Sequence, residues 1–123
     1  MNLCIDLGNS STKVGLFEQN KLVKCFSYKK FGETEIATLF DNFPIKTGIL
    51  SSVITHDDAI ASDLAKRTDF LIELSHHTPV PIENRYSTPH TLGNDRLAAI
   101  VGATYLKPDS DILVIGALVC SAI

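Results

Sequence analysis

At 123 residues and 45% hydrophobic content, the chain has one domain's worth of sequence and enough apolar side chains for a packed core. Charged residues make up 20%, the net charge is −3 and no basic cluster occurs, which argues against a non-specific nucleic-acid surface or an anionic-membrane surface. No charged n-region precedes an apolar stretch at the start, and the longest uncharged apolar run, Ile112–Ile123, is far shorter than the ~20 residues that span a bilayer. A cytoplasmic protein is therefore expected, in which the Asn9-Ser10-Ser11 sequon carries no glycan. The cysteines Cys4, Cys25 and Cys120 form no Cys-x-x-Cys pair, and Cys4 and Cys25 sit in apolar runs; all three read as buried, reduced thiols.

In chain order, Asn2–Leu7 and Thr12–Glu18 read as two strands joined by a hairpin, with Gly8-Asn9 as residues that tolerate positive φ. Gln19-Asn20 is a second turn, and Lys21–Tyr28 alternates as a third strand. Thr34–Phe43 places Ile36, Leu39, Phe40 and Phe43 at helical spacing, and Pro44 closes that helix. Thr47–Val53 reads as a buried strand in which Gly48 allows a close approach. Thr55-His56-Asp57-Asp58 is a helix entry, with a threonine cap and acids at the positive end of the dipole, and the helix to about Thr68 buries Ile60 and Leu64. Phe70–Leu74 is a fifth strand. Pro79, Pro81 and Pro89 then forbid regular structure from Ser75 to Leu92, a loop long enough to be functional, and Asn84, Arg85 and Tyr86 make it a binding loop. Gly93–Leu106 is a helix with Leu97, Ala98, Val101 and Tyr105 on its buried side, and Asp111–Ile115 begins one more strand. Phe26, Phe40 and Phe43 are assigned to the core. The β-β-β-α-β-α-β-α order predicts an α/β fold, a mixed sheet with helices packed on it in the ribonuclease H style.

Two stretches carry chemistry. In Asp6-Leu7-Gly8-Asn9-Ser10-Ser11-Thr12-Lys13, an acid, small polar residues and a lysine converge at one end of the first hairpin. A glycine there lets a phosphate approach the backbone, N–H and hydroxyl groups donate to its oxygens, and Lys13 supplies a point charge. Asp6 can hold a hydrated Mg²⁺, which needs only one or two carboxylates. The bland reading of this stretch is a plain hairpin with a surface lysine. In Thr91-Leu92-Gly93-Asn94-Asp95-Arg96, Asp95 and Arg96 fall in the first turn of the last helix, where an anion is stabilised. Asp95 can accept a proton from a substrate hydroxyl, and Arg96 offers a fork for a carboxylate or phosphate; the bland reading is a capping acid beside a surface arginine. His76-His77 lack an acid or cysteine cluster that would support a metal, and His90 borders the second stretch. Asp57, Asp58, Asp63 and Asp69 read as a solvated helix face and its ends.

Taken together, Asp6-x-Gly8-Asn9-Ser10-x-x-Lys13-x-Gly15-Leu16 and Tyr86-x-x-Pro89-x-x-Leu92-Gly93-x-Asp95-Arg96-x-Ala98-Ala99 resemble type III pantothenate kinase, of the actin, Hsp70 and sugar-kinase superfamily. The resemblance covers the chain up to about Ile115, and its most specific part is Gly93-Asn94-Asp95-Arg96, matching a Gly-x-Asp-Arg signature. It implies an actin-like ATPase domain over residues 1–110 and ATP-dependent phosphorylation of the primary hydroxyl of pantothenate, the first step towards coenzyme A. By that resemblance Gly8, Asn9, Ser10 and Lys13 line the phosphate site and Asp6 faces the metal. Asp95 is the general base, and Tyr86, Gly93, Asn94 and Arg96 hold pantothenate. Mg²⁺, a monovalent cation (K⁺ or NH₄⁺) and a homodimer are implied as well.

The sequence departs from the family over residues 111–123. Asp111–Ile115 resembles the first strand of a second domain, but the Asp-x-Gly-Thr hairpin expected next is replaced by Gly116-Ala117-Leu118-Val119-Cys120. A truncated or altered second domain, and an inactive short chain, are therefore expected. Two alternatives stay open: a non-enzymatic relative serving as a transcriptional accessory factor, and another superfamily kinase acting on a small sugar or carboxylate. Asp95 and the lack of a basic patch weigh against the first; Gly-x-Asp-Arg would be a coincidence in the second.

Overall fold

Strand alternation sorts the first strand into Leu3, Ile5 and Leu7 on one face and Asn2, Cys4 and Asp6 on the other. The computed structural model describes residues 1–53 and 58–115. In it β1 (Asn2–Leu7) pairs antiparallel with β2 (Thr12–Glu18), setting Leu3 opposite Leu16 and Ile5 opposite Val14. On its other side β1 pairs in parallel with β4 (Thr47–Ser52), which adds Leu50 to the same apolar face. β3 (Lys21–Tyr28) lies antiparallel to β2, and β5 (Phe70–Glu73) runs parallel to β4. The result is a mixed five-stranded sheet in the order β3-β2-β1-β4-β5.

Helices α1 (Glu33–Asn42) and α2 (Asp58–Arg67) supply Ile36, Leu39, Ile60 and Leu64 to the core formed with the apolar face of the sheet. Leu64 is fully buried, and removing such a side chain from water contributes about 1.5–3 kcal/mol. The start of α1 is fixed by the Glu35 carboxylate, which accepts a hydrogen bond from the Gly32 N–H at 2.9 Å. Phe26, Phe40 and Phe43, expected in the core, are only partly buried and pack against its rim, where the Phe26 and Phe43 rings lie 6.0 Å apart.

The two hairpins differ in how they reverse the chain. Gln19 and Asn20 adopt φ of 48° and 66°, as a two-residue connection between Glu18 and Lys21 requires. Positive φ was expected at Gly8 and Asn9 as well, and neither residue has it. The connection from Leu7 to Thr12 has four residues, so the reversal is spread over a wider loop. Gly8 is needed there for space: a Cβ on it would lie 2.8 Å from the Ser11 carbonyl oxygen, which accepts the Gly8 N–H at 3.1 Å.

Several other expectations change. Cys4 is half-buried, and burial pushes its thiol pKa up, but Cys25 is exposed because, among the described residues, nothing packs over the face of β3 that carries it. The long loop holds one short 3₁₀ turn, Pro89–Thr91, since proline is well suited to a first helical position. Helix α3 (Asn94–Leu106) buries Leu97, yet Ala98 is exposed and Tyr105 is 69% exposed, because among the described residues nothing covers the outer part of its apolar side. Residues 111–115 form no strand; they are exposed and join neither edge of the sheet, and a strand without a ladder partner has no hydrogen bonds to define it. The expected helix cap at Thr55, Asp57, Cys120 and the stretch 116–123 lie outside the described residues.

Candidate active site

Parallel pairing places the carboxyl ends of β1 and β4 side by side, and the first hairpin brings the start of β2 to the same end. Loops at the carboxyl ends of parallel strands are where open α/β sheets bind ligands. On the face away from α1 and α2, Lys13 is the cross-strand partner of Asp6, and Ser51 is its partner on the other side. Lys13, Asp6 and Ser51 thus form one row across three strands. The N-terminal turn of α3 stands over this row, and Asp6, Lys13, Ser51, Asp95, Ala98 and Ala99 line a cleft of about 430 Å³. The small side chains of Gly15, Ala98 and Ala99 keep the cleft open.

The electrostatics of the cleft centre on Asp6. Partial burial raises its carboxyl pKa first, the charge of Asp95 raises it further, and Lys13 acts in the opposite direction. Two carboxylates facing one space favour a cation between them. Among the described residues no group of three or more His, Cys, Asp or Glu can cage a metal. A Mg²⁺ ion that keeps its waters and takes phosphate oxygens as further ligands fits one or two carboxylates. The donor set therefore suits a metal carried with a phosphorylated ligand.

Asp95 also lines a second cleft of about 350 Å³ together with Tyr86, Arg96, Ile100 and Val114. Arg96 is exposed and, among the described residues, makes no ion pair, so its guanidinium remains available to a ligand. Tyr86 is held by the loop itself, its N–H donating to the Asn84 Oδ1 at 3.0 Å. Arg85 is spent on an exposed ion pair with Glu83 at 3.1 Å.

The four residues of Gly93-Asn94-Asp95-Arg96 do not share one wall. Gly93 and Asn94 line a third cleft with Ser52, His76 and His90, because successive residues at a helix start point about 100° apart. The His76 and His77 rings lie 3.9 Å apart and His76 and His90 6.5 Å apart. Asn9 and Ser10 are exposed on the first hairpin loop, and the Gly8 N–H donates to the Ser11 carbonyl oxygen within that loop, so it is not among the N–H groups open to a phosphate. Ser51 was not anticipated; the one signal in the sequence was a pair of serines ending an otherwise apolar strand.

The family model for type III pantothenate kinase matches residues 2–117. The chain belongs to the type III pantothenate kinase family. It is 47% identical over 120 residues to the type III pantothenate kinase of Phocaeicola vulgatus, covering 98% of this chain and 50% of that protein. The type III pantothenate kinase of Bacteroides fragilis strain ATCC 25285 is 36% identical, with 98% and 49% covered. That of Azobacteroides pseudotrichonymphae is 35% identical, with 94% and 47% covered. The chain thus spans about half the length of the curated relatives it matches. Among the described residues no helix is long and apolar enough to cross a membrane.

Proposed function

We propose that this chain forms the ribonuclease H-like, actin-like half of a pantothenate kinase, carrying the phosphate, metal and pantothenate sites of a reaction that moves the γ-phosphoryl group of ATP to the primary hydroxyl of pantothenate. The observation that supports this best is the position of Asp95 as the wall common to two clefts, one holding Asp6 and Lys13, the other Tyr86 and Arg96. A base in that position reaches a hydroxyl presented from one side and a phosphoryl group presented from the other. Phosphoryl transfer asks mainly for such positioning and for neutralised charge.

In this reading Arg96 pairs with the pantothenate carboxylate, and Tyr86 packs beside it. Asp95 takes the proton from the hydroxyl oxygen as that oxygen attacks. Lys13 balances charge on the phosphates, with Gly8, Asn9 and Ser10 shaping the loop beside them. Asp6 would hold Mg²⁺, which when bound neutralises phosphate charge. Gly93 and Asn94 set the start of α3, so that Asp95 and Arg96 point to different clefts. The adenosine side, the ligands of a monovalent cation and the Asp-x-Gly-Thr hairpin are assigned to the half of the relatives that this chain does not span. Homodimerisation and a cytoplasmic location complete the proposal.

The test is coupled ADP release with pantothenate, Mg²⁺-ATP and K⁺, on the chain alone and on one extended with the second half of the Phocaeicola vulgatus relative. Turnover is expected from the extended chain only. No pantothenate-dependent ADP from the extended chain would overturn the kinase reading. Equal rates from both would overturn the division of the site between halves.

A further inference from the structure

We propose that the Ser51 hydroxyl is a further ligand-binding group of the larger cleft, donating a hydrogen bond to a phosphoryl oxygen held beside Asp6; this rests on the kinase reading above. Ser51 is 8% exposed, and its Oγ is buried without a hydrogen-bond partner among the described residues. Buried hydroxyls are nearly always paired, so an orphan that lines a cleft points to a partner arriving from outside the chain.

The register says what that partner is. Asp6 stands between Lys13 on β2 and Ser51 on β4. Ionised carboxylates accept hydrogen bonds only, so Asp6 and Asp95 give an anion nothing to bind except through a cation. Donors flank Asp6 on both sides: the charged Lys13 ammonium on one, the neutral Ser51 hydroxyl on the other. A phosphoryl group carried with a cation on Asp6 would find a donor on each side. A second cation in place of Ser51 would pair with the carboxylates and compete with the metal; a hydroxyl does not.

Calorimetric titration of the chain with magnesium tripolyphosphate, together with thermal unfolding of the same samples, tests this. Ser51→Ala is expected to weaken binding about tenfold, the scale of one hydrogen bond to a charged oxygen. Its Tm should stay level or rise, because the substitution removes a buried polar group that has no partner among the described residues. Unchanged affinity would overturn the proposal, as would a lower Tm accompanying the loss, which would make the hydroxyl structural. Wild type and variant binding alike sinks the role of Ser51 alone. No binding by the wild type sinks the kinase reading of the cleft with it.

Discussion

Asp6 and Asp95 come from opposite ends of the sequence and meet across one cleft, and their charges make opposite demands on stability and function. The Asp6 pKa in the folded chain lies above its ordinary 3.8, so from about that pH upward the folded state holds the proton more tightly than the unfolded state. Stability from this group is therefore present at low pH and is lost as pH rises through the raised folded value. Asp6→Asn should raise Tm at pH 7, with the gap to wild type closing as pH falls towards 3.8 in paired melts. A gap that widened on acidification would contradict the assigned cause. For Asp95→Asn in the extended chain, kcat should fall roughly 10²–10⁴-fold with pantothenate binding nearly unchanged, because the amide keeps the shape and loses the base. Steady-state kinetics beside equilibrium binding would show it. Arg96→Ala should instead weaken pantothenate binding by about 1.5–3 kcal/mol while sparing analogues without the carboxylate. Equal losses for both ligand types would make Arg96 structural.

At the scale of elements, the first hairpin shows how one small residue sets a loop. Gly8 needs no unusual φ, yet a Cβ would come within 2.8 Å of the Ser11 carbonyl oxygen, backbone that cannot rotate away. Gly8→Ala should open the loop, weaken the Gly8–Ser11 hydrogen bond and cost roughly 1–3 kcal/mol, the range for forcing atoms into filled space. The midpoint of urea unfolding measures this, and an unshifted midpoint would show that the loop adapts freely. Helix α3 is the element that most needs its surroundings. Its N-terminal turn faces three clefts, whereas Ile100, Tyr105 and Leu106 further along stay exposed among the described residues.

Across the whole molecule, that uncovered side continues into the residues that follow α3. Tyr105 and Leu106 are 69% and 74% exposed, and Leu113 and Ile115 are 84% and 80% exposed, while Val114 returns to line the cleft of Arg96. Exposed apolar stretches of this kind mark surfaces that associate. The chain should therefore show concentration-dependent sedimentation and bind an apolar dye, and both signals should drop on Tyr105→Lys with Leu113→Lys. They should also drop in the extended chain if its added half packs here. A monomer indifferent to both changes would mean that these residues are harmless in water.

Much of this architecture is local and was legible in the residues. Alternation set the strand faces, the Gln19-Asn20 pair set a tight turn, and Ile60 and Leu64 at helical spacing set the buried side of α2. Asp6, Lys13, Asp95 and Arg96 were legible as candidates once the two stretches were read together, since each alone also fits a plain hairpin with a surface lysine or a capping acid beside a surface arginine. What the sequence left undecided depends on neighbours distant in the chain. Periodicity reports which side of α3 is apolar, but only packing decides whether anything covers it, and Tyr105 remains in water. Hydrophobicity suggested a strand at 111–115, but a strand exists only where a partner takes its hydrogen bonds. Cys25 follows the same logic, since alternation gives its face of β3 but only packing decides whether anything lies over that face. The division of Gly93, Asn94, Asp95 and Arg96 among three clefts, and the placing of Ser51 beside Asp6, came from helix rotation and parallel register. Both are properties of how elements sit together, and no single stretch of sequence contains them.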